Sequence, residues 1–430
     1  MPEKNMNFMT AIQNKSLALL LLILFGACQK AKVTEQHTAV PKTVQQLSEP
    51  GTNATNPYFT HDHLGQPVLC WTEALSDAEG FVLKYTTFNP STKAFGEVHT
   101  VMPSRGTVVH PENMNKVAFT SEGIVVAVYS RKHPTPENRF AGSLWYSQSF
   151  DGGKTWTEEA YLHSDTSKNV GRGYFDLAML PDGEVGAVWL DGRYGKASTG
   201  SALFFAKTER GKGFGKDKEI GESTCECCRT DLYVDQEGRI HVVYRDILND
   251  SIRDIVHQFS EDKGQSFSGP RRISNDNWVI HGCPHTGPSL ASTSQGLHAL
   301  WFTAGGTPAV YFTSTADQGK SFSVRSKISE KAKHPQMIAL PDGRLVMVWD
   351  EPVEDQQAAH HSGHAASSGN SRIVRQIRKG NITVDTQVIS DPGSNASYPV
   401  VAQYDGYCVA AWSQTSGQGA AIFYQGLDLN

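Results

Sequence analysis

Pro181-Asp182-Gly183-Glu184-Val185-Gly186-Ala187-Val188-Trp189 and Pro341-Asp342-Gly343-Arg344-Leu345-Val346-Met347-Val348-Trp349 share one pattern: a tight turn, then an apolar run closed by tryptophan. Asp-Gly suits a hairpin because glycine takes positive φ at no steric cost. The run after it is apolar at consecutive positions, as in a strand covered on both faces. Working outward, the same turn returns as His63-Leu64-Gly65, Ser121-Glu122-Gly123, Gln236-Glu237-Gly238, Ser294-Gln295-Gly296 and Tyr404-Asp405-Gly406. The matching runs are Pro67 to Trp71, Ile124 to Tyr129, Ile240 to Tyr244, Leu297 to Trp301 and Tyr407 to Trp412.

These units recur with a period of about 50–60 residues, which calls for a propeller or solenoid. We expect an all-β chain: a β-propeller of four-stranded blades, seven by this count, or six if one unit is irregular. The ends point to closure. Thr43 to Ala54 resembles Thr386 to Ala396, the segment leading into the last unit, and that unit stops at Asp428 without a clear fourth strand. Residues 43–48 are expected to supply it, which also protects both edges.

The turn between third and fourth strands carries a second motif. Ser149-Phe150-Asp151-Gly152-Gly153-Lys154-Thr155-Trp156 fits S-x-D-x-G-x-T-W at every fixed position. Ser260-Glu261-Asp262-Lys263-Gly264-Gln265-Ser266-Phe267 and Thr315-Ala316-Asp317-Gln318-Gly319-Lys320-Ser321-Phe322 are close variants, and Thr208 to Phe214 is a worn copy. These resemble the Asp boxes (BNR repeats) of the sialidase superfamily, over residues 43 to 430. The box reads as structural. Its Asp (Asp151, Asp262, Asp317) accepts from turn N–H groups, and its aromatic residue (Trp156, Phe267, Phe322) packs between blades. The resemblance implies a propeller. It also implies a site with an arginine triad, a Tyr–Glu nucleophile pair and an Asp acid/base. The first-arginine motif of that family, F-R-I-P or Y-R-I-P, is absent, and seven units exceed its usual six.

The chain has 430 residues, 39% hydrophobic and 19% charged, with net charge −5. That suffices for a large core, and the lack of a basic stripe gives nucleic-acid binding no electrostatic support. Residues 1–28 read as a targeting segment. Lys4 and Lys15 precede an apolar stretch, Leu17 to Phe25, too short to span a membrane. Leu24-Phe25-Gly26-Ala27-Cys28 resembles a bacterial lipobox, which implies lipidation at Cys28. A plain secretory signal is the alternative. Residues 29–42 are polar and read as a tether, and 43–430 as the propeller. The expected location is the cell envelope, at the outer membrane or periplasmic face, with the membrane as one partner.

In a propeller the loops that enter each blade and those between its second and third strands share one face. That face is where ligand sites form. The first set gives Asn56, His110, Arg172, Cys228 with Arg229, His281 with Cys283 and His285, His334 and Tyr398. The second gives Glu73, Arg131, Asp191 with Arg193, Arg245 with Asp246, Asp350 with Glu351, and Gln414. Solvated loop polarity is the plain reading of the second set. Cys225-Glu226-Cys227-Cys228 and His281-Gly282-Cys283-Pro284-His285 fall at matching places in adjacent units. Disulfides, a copper or zinc site, and a redox-active thiol pair are the three readings. Cys70 and Cys408 read as buried thiols adjacent across the closure. His360-His361-Ser362-Gly363-His364 lies in a Gly/Ser/Ala-rich insertion and reads as solvated loop.

Three functions stay open. One is a non-catalytic propeller binding a glycan, peptide or surface protein at the channel mouth. Another is a sialidase-type hydrolase, with Arg172, Arg229 and Arg245 for a carboxylate and Asp176, Asp246 and Glu351 for proton transfer, and with Tyr174 or Tyr398 as nucleophile. The third is a propeller that holds copper or zinc through Cys225, Cys227, Cys228, Cys283 and His285.

Overall fold

The computed structural model describes residues 43–75, 80–353, 370–417 and 419–429. Cys28, the leader, the tether and the His360–His364 run lie outside the described residues. The described residues form 28 strands and two short 3-10 turns, with no helix long and apolar enough to cross a membrane.

The strands fall into consecutive antiparallel sets of four. Each opens on an inner strand: Ala54–His61, Lys116–Phe119, Arg172–Met179, Asp231–Val234, Ser289–Thr293, Lys333–Ala339 and Asn395–Tyr404. We call the sets units one to seven. Units three and four are joined into one sheet by the single pairing of Thr224 with Asp246. The second strands match the apolar runs of the sequence. Pro67–Ala74 and Val185–Asp191 are buried along nearly their whole length. The turns before them behave as read, with Gly183 and Gly343 at φ of 83° and 80°.

Burial on both faces is explained by the packing. Every large apolar cluster draws on two consecutive units. Units two and three share Val128, Phe175 and Trp189, and units six and seven share Val348, Ile373 and Trp412. Unit seven meets unit one through Val400, Tyr424 and Trp71. The inner strands touch in chain order, and that of unit seven comes back to that of unit one. Gln45–Gln46 is the outermost strand of unit seven's sheet, paired with Tyr424 and Phe423. Cys70 and Cys408 are buried, as expected, but they do not meet. Cys70 packs between units one and two, and Cys408 between units six and seven.

The eight-residue hairpins show why their polar residues recur. Asp151 Oδ1 accepts from the backbone N–H of Lys154 (3.1 Å) and Thr155 (2.9 Å), and Oδ2 accepts from the Thr155 hydroxyl (2.6 Å). Asp262 and Asp317 repeat this with Ser266 and Ser321. Each carboxylate is surrounded by donors, so its pKa falls, to about 2 for Asp151. Trp156, Phe267 and Phe322 pack against the clusters between units.

Candidate functional site

A buried tryptophan needs an acceptor for its indole N–H. Side chains two apart on a strand point the same way, so the residue at i+2 can supply it. Trp71 donates to Glu73 (2.8 Å), Trp189 to Asp191 (3.1 Å), Trp349 to Glu351 (3.1 Å) and Trp412 to Gln414 (3.3 Å). These second-strand ends therefore serve the fold. Asp191 is fully buried and also holds Arg172 Nε (3.1 Å) and Arg193 (2.6 Å). Arg193 further reaches Asp217 and lies 3.6 Å over the Phe204 ring. Glu351 accepts from Arg372 at 2.7 Å.

The three arginines grouped in the sequence as a carboxylate clamp have no partner in common. Arg172 pairs with Asp165 and Asp191. Arg245 donates to the carbonyls of Arg253, Thr286 and Phe302 and stands over Trp278. Arg229 is buried against Glu112 (3.3 Å) and the carbonyls of Gly287 and Pro335. Asp246 is buried, and burial followed by the nearby Glu222 charge lifts its carboxyl to about 6.

The starts of the inner strands share a repeated backbone device. Four inner strands carry a bulge, between Thr55/Tyr58, Gly173/Asp176, Lys333/Gln336 and Ser397/Val400. Inside each, one non-glycine residue takes left-handed φ: Asn56 (59°), Tyr174 (53°), His334 (46°) and Tyr398 (52°). Neighbouring units hold three of these by the backbone N–H. Ser413 accepts from Asn56 (3.2 Å), Asn113 from Tyr174 (2.7 Å) and Asp350 from Tyr398 (2.7 Å). The rings then cluster. His334 lies 4.0 Å from Tyr398, centroid to centroid, and its Nδ1 is 2.8 Å from Asp350. His110 lies 5.4 Å from both Tyr174 and His285. Burial first, then the proximity of His285 and Lys132, lowers the His110 pKa to about 4, so it is neutral at pH 7. Burial raises both tyrosine hydroxyls.

Further along the inner strands, side chains form a charged network. Lys116 Nζ donates to Asp176 Oδ1 and to the Phe175 carbonyl, both at 3.0 Å, and lies 3.8 Å over the Tyr58 ring. The Tyr58 hydroxyl donates to Asp176 at 2.6 Å. Asp231 accepts from the Leu290 N–H at 2.6 Å. Burial, reinforced by Asp176, pushes its carboxyl up to about 7. Glu112, Lys116, Tyr58 and Asp231 were missed in the sequence. The available signal was position: Tyr58, Lys116, Asp176 and Asp231 stand at equivalent places on successive inner strands.

The remaining calls divide. Cys225, Cys227, Cys228, Cys283 and His285 come together beside Tyr174. His281 is exposed and belongs to neither of their donor sets. On the opposite face a cleft of about 390 Å³ is lined by Asp182, Glu184, Lys207 and Arg210. Its groups answer one another, Lys207 to Asp182 and Thr208 to Glu184, so it offers little to a ligand.

No family model matches the chain, and no curated protein matches its sequence. Solved structures do. The polysaccharide lyase Uly1 is 12% identical, covers 87% of this chain and 90% of its own, and gives a TM-score of 0.54. A protein of unknown function from Dyadobacter fermentans DSM 18053 is 17% identical, covers 91% and 100%, and gives 0.50. The Hadza microbial sialidase Hz136 is 14% identical, covers 82% and 74%, and gives 0.49. The chain folds as an all-β propeller of four-stranded sheets. At these identities the likeness is one of fold, and a propeller takes its chemistry from the mouth residues it carries.

Proposed function

We propose that this propeller binds a saccharide at its channel mouth, through the rings of Tyr174, Tyr398, His110 and His334. The carrying observation is the repeated left-handed backbone at Asn56, Tyr174, His334 and Tyr398. Such a conformation costs about 1 kcal/mol or more at a non-glycine residue and is kept where the surroundings enforce it. Four instances around one opening mark a surface shaped for contact. Aromatic rings offer flat apolar faces to the ring of a sugar. A neutral imidazole both donates and accepts, and phenol hydroxyls do the same, which suits sugar hydroxyls. A polysaccharide lyase shares the fold, so a saccharide is the class of ligand to try first.

Binding stands ahead of hydrolysis because Arg172, Arg229 and Arg245 are each committed to internal partners. We further infer that the seven sets of strands are blades of one closed ring, supported by the cyclic contacts of the inner strands. The lipobox-like Leu24 to Cys28 supports anchoring at the cell envelope through Cys28.

The test is a glycan array probed with the full-length protein, followed by calorimetry on any hit. Tyr398→Ala and His334→Ala should each weaken binding at least tenfold. Binding unchanged by both variants, or no hit at all, would overturn the proposal. Cleavage of a sialoside reporter would bring the hydrolase forward instead.

A further inference from the structure

The loops that enter units four and five bring four thiols and one imidazole together. Cys225 Sγ lies 3.7 Å from Cys227 Sγ and 3.5 Å from Cys228 Sγ. These are contacts between separate thiols, and all four cysteines are unbonded. The donors form two sets that share Cys227. In each, every ligand atom lies within 4.8 Å of the others: Cys225 with Cys227 and Cys228, and Cys227 with Cys283 and His285. The all-sulfur set is buried, while Cys283 and His285 are half-buried.

We propose that Cys225, Cys227, Cys228, Cys283 and His285 bind a thiophilic closed-shell metal ion, Cu(I) in preference to Zn(II).

Donor softness carries the first part. Four sulfurs and a nitrogen with no carboxylate exclude the hard, oxygen-seeking cations. Metal–sulfur bonds of about 2.3 Å hold sulfurs roughly 3.8–4.0 Å apart, so 3.5 and 3.7 Å require only a small spreading. The number of donors carries the second part. Structural zinc takes four tetrahedral donors. The two loops together offer two sets of three with one common sulfur, and thiolates in low coordination suit Cu(I). The shared Cys227 would let a second ion bind beside the first.

Ile247 and Tyr174 close the apolar side of the cluster. Binding releases thiol protons to solvent, so affinity rises with pH. A bound ion would also tie the loop entering unit four to the loop entering unit five. Disulfides would otherwise have to do this in an oxidising compartment.

The experiment is an anaerobic titration of the reduced full-length protein with Cu(I) against a chromogenic Cu(I) chelator, and with Zn(II) against a zinc dye. The expected result is at least one Cu(I) per chain, with thiolate-to-metal ultraviolet absorption. Cys227→Ser should weaken uptake at least tenfold. Cys283→Ser, at a half-buried position, is the companion variant, with circular dichroism confirming that both fold. Cys70→Ser should bind as wild type. Equal affinity in wild type and both cluster variants would overturn the site. Tighter uptake of Zn(II) than Cu(I) would overturn the choice of ion. Pairwise disulfides among these four cysteines in protein isolated from the envelope without reductant would overturn the proposal altogether.

Discussion

Lys116 sits where a lone cation would be costly, with a side chain 1% exposed and Asp176 as its ion-pair partner. Burial lowers its pKa, and the Asp176 carboxylate opposes that shift. Lys116→Met would leave Asp176 buried without its cation. We expect a loss of about 3–5 kcal/mol in denaturant unfolding, the range for breaking one side of a buried pair. A loss under about 1 kcal/mol would mean that Tyr58 and the Leu232 N–H suffice for Asp176. Asp231 gives a pH signature. Its folded pKa is about 7, raised from 3.8. The folded state therefore binds more protons than the unfolded state between these values, and stability falls as pH rises through the window. Asp231→Asn removes that slope. Its melting temperature relative to wild type should rise between pH 5 and pH 8, and parallel curves would contradict the assignment. These two residues show where sequence reading stops. Tyr58 and Asp176 are 118 positions apart, and nothing local in either segment announces the other.

The box hairpins are the opposite case. Every partner of Asp262 lies within four positions, so the motif determines its own geometry and was fully legible. Asp151, Asp262 and Asp317 have depressed pKa values, so their contribution is present above the unfolded value. It is lost as pH falls through the folded one. Asp262→Ala should lower the melting temperature at pH 7, and the gap to wild type should narrow as pH is taken down toward 2. Saccharide and metal binding should not change, because the hairpin is at the far end of the strands from the mouth. Second strands were equally legible, their apolar runs matching the observed elements nearly end to end. What misled was polarity at their ends. Asp191, Arg193 and Glu351 read as rim groups, yet Asp191 and Glu351 accept from buried indoles and pair with arginines, and Arg193 donates to Asp191 and Asp217. The repeated Trp-x-acid spacing in residues 71–73, 189–191 and 349–351 was the signal to weigh.

In unit seven the strand Gly419–Leu427 would be the outer edge of a three-stranded sheet without a further strand beside it. Gln45–Gln46 covers it, aided by the Leu47 N–H to the Ile422 carbonyl (2.8 Å) and the Ile422 N–H to Ser48 Oγ (3.0 Å). Removing residues 43–48 uncovers that edge and takes Leu47 from the contact between units seven and one. The truncated chain should melt at lower temperature and self-associate, as light scattering would show. A monodisperse protein with the wild-type melting temperature would mean that the edge is protected some other way. The repeat of Thr43 to Ala54 in Thr386 to Ala396 made this closing role readable. The Cys/His cluster was readable too, because both loops enter adjacent units at the same place. Its division into two three-donor sets was not, since that depends on the path of each loop.

The covering strand has a consequence for how the chain is made. Gln45 and Tyr424 are hydrogen-bonded partners separated by 379 positions. At a ribosomal pace of roughly 5–20 residues per second, the first waits roughly 20–75 s for the second to exist. During that interval Thr43-Val44-Gln45-Gln46-Leu47-Ser48 has no mate, and every other sheet can be complete before it is used. A strand that must idle this long cannot be greedy for partners. Its short pairing and its polar composition keep it harmless until the final residues arrive.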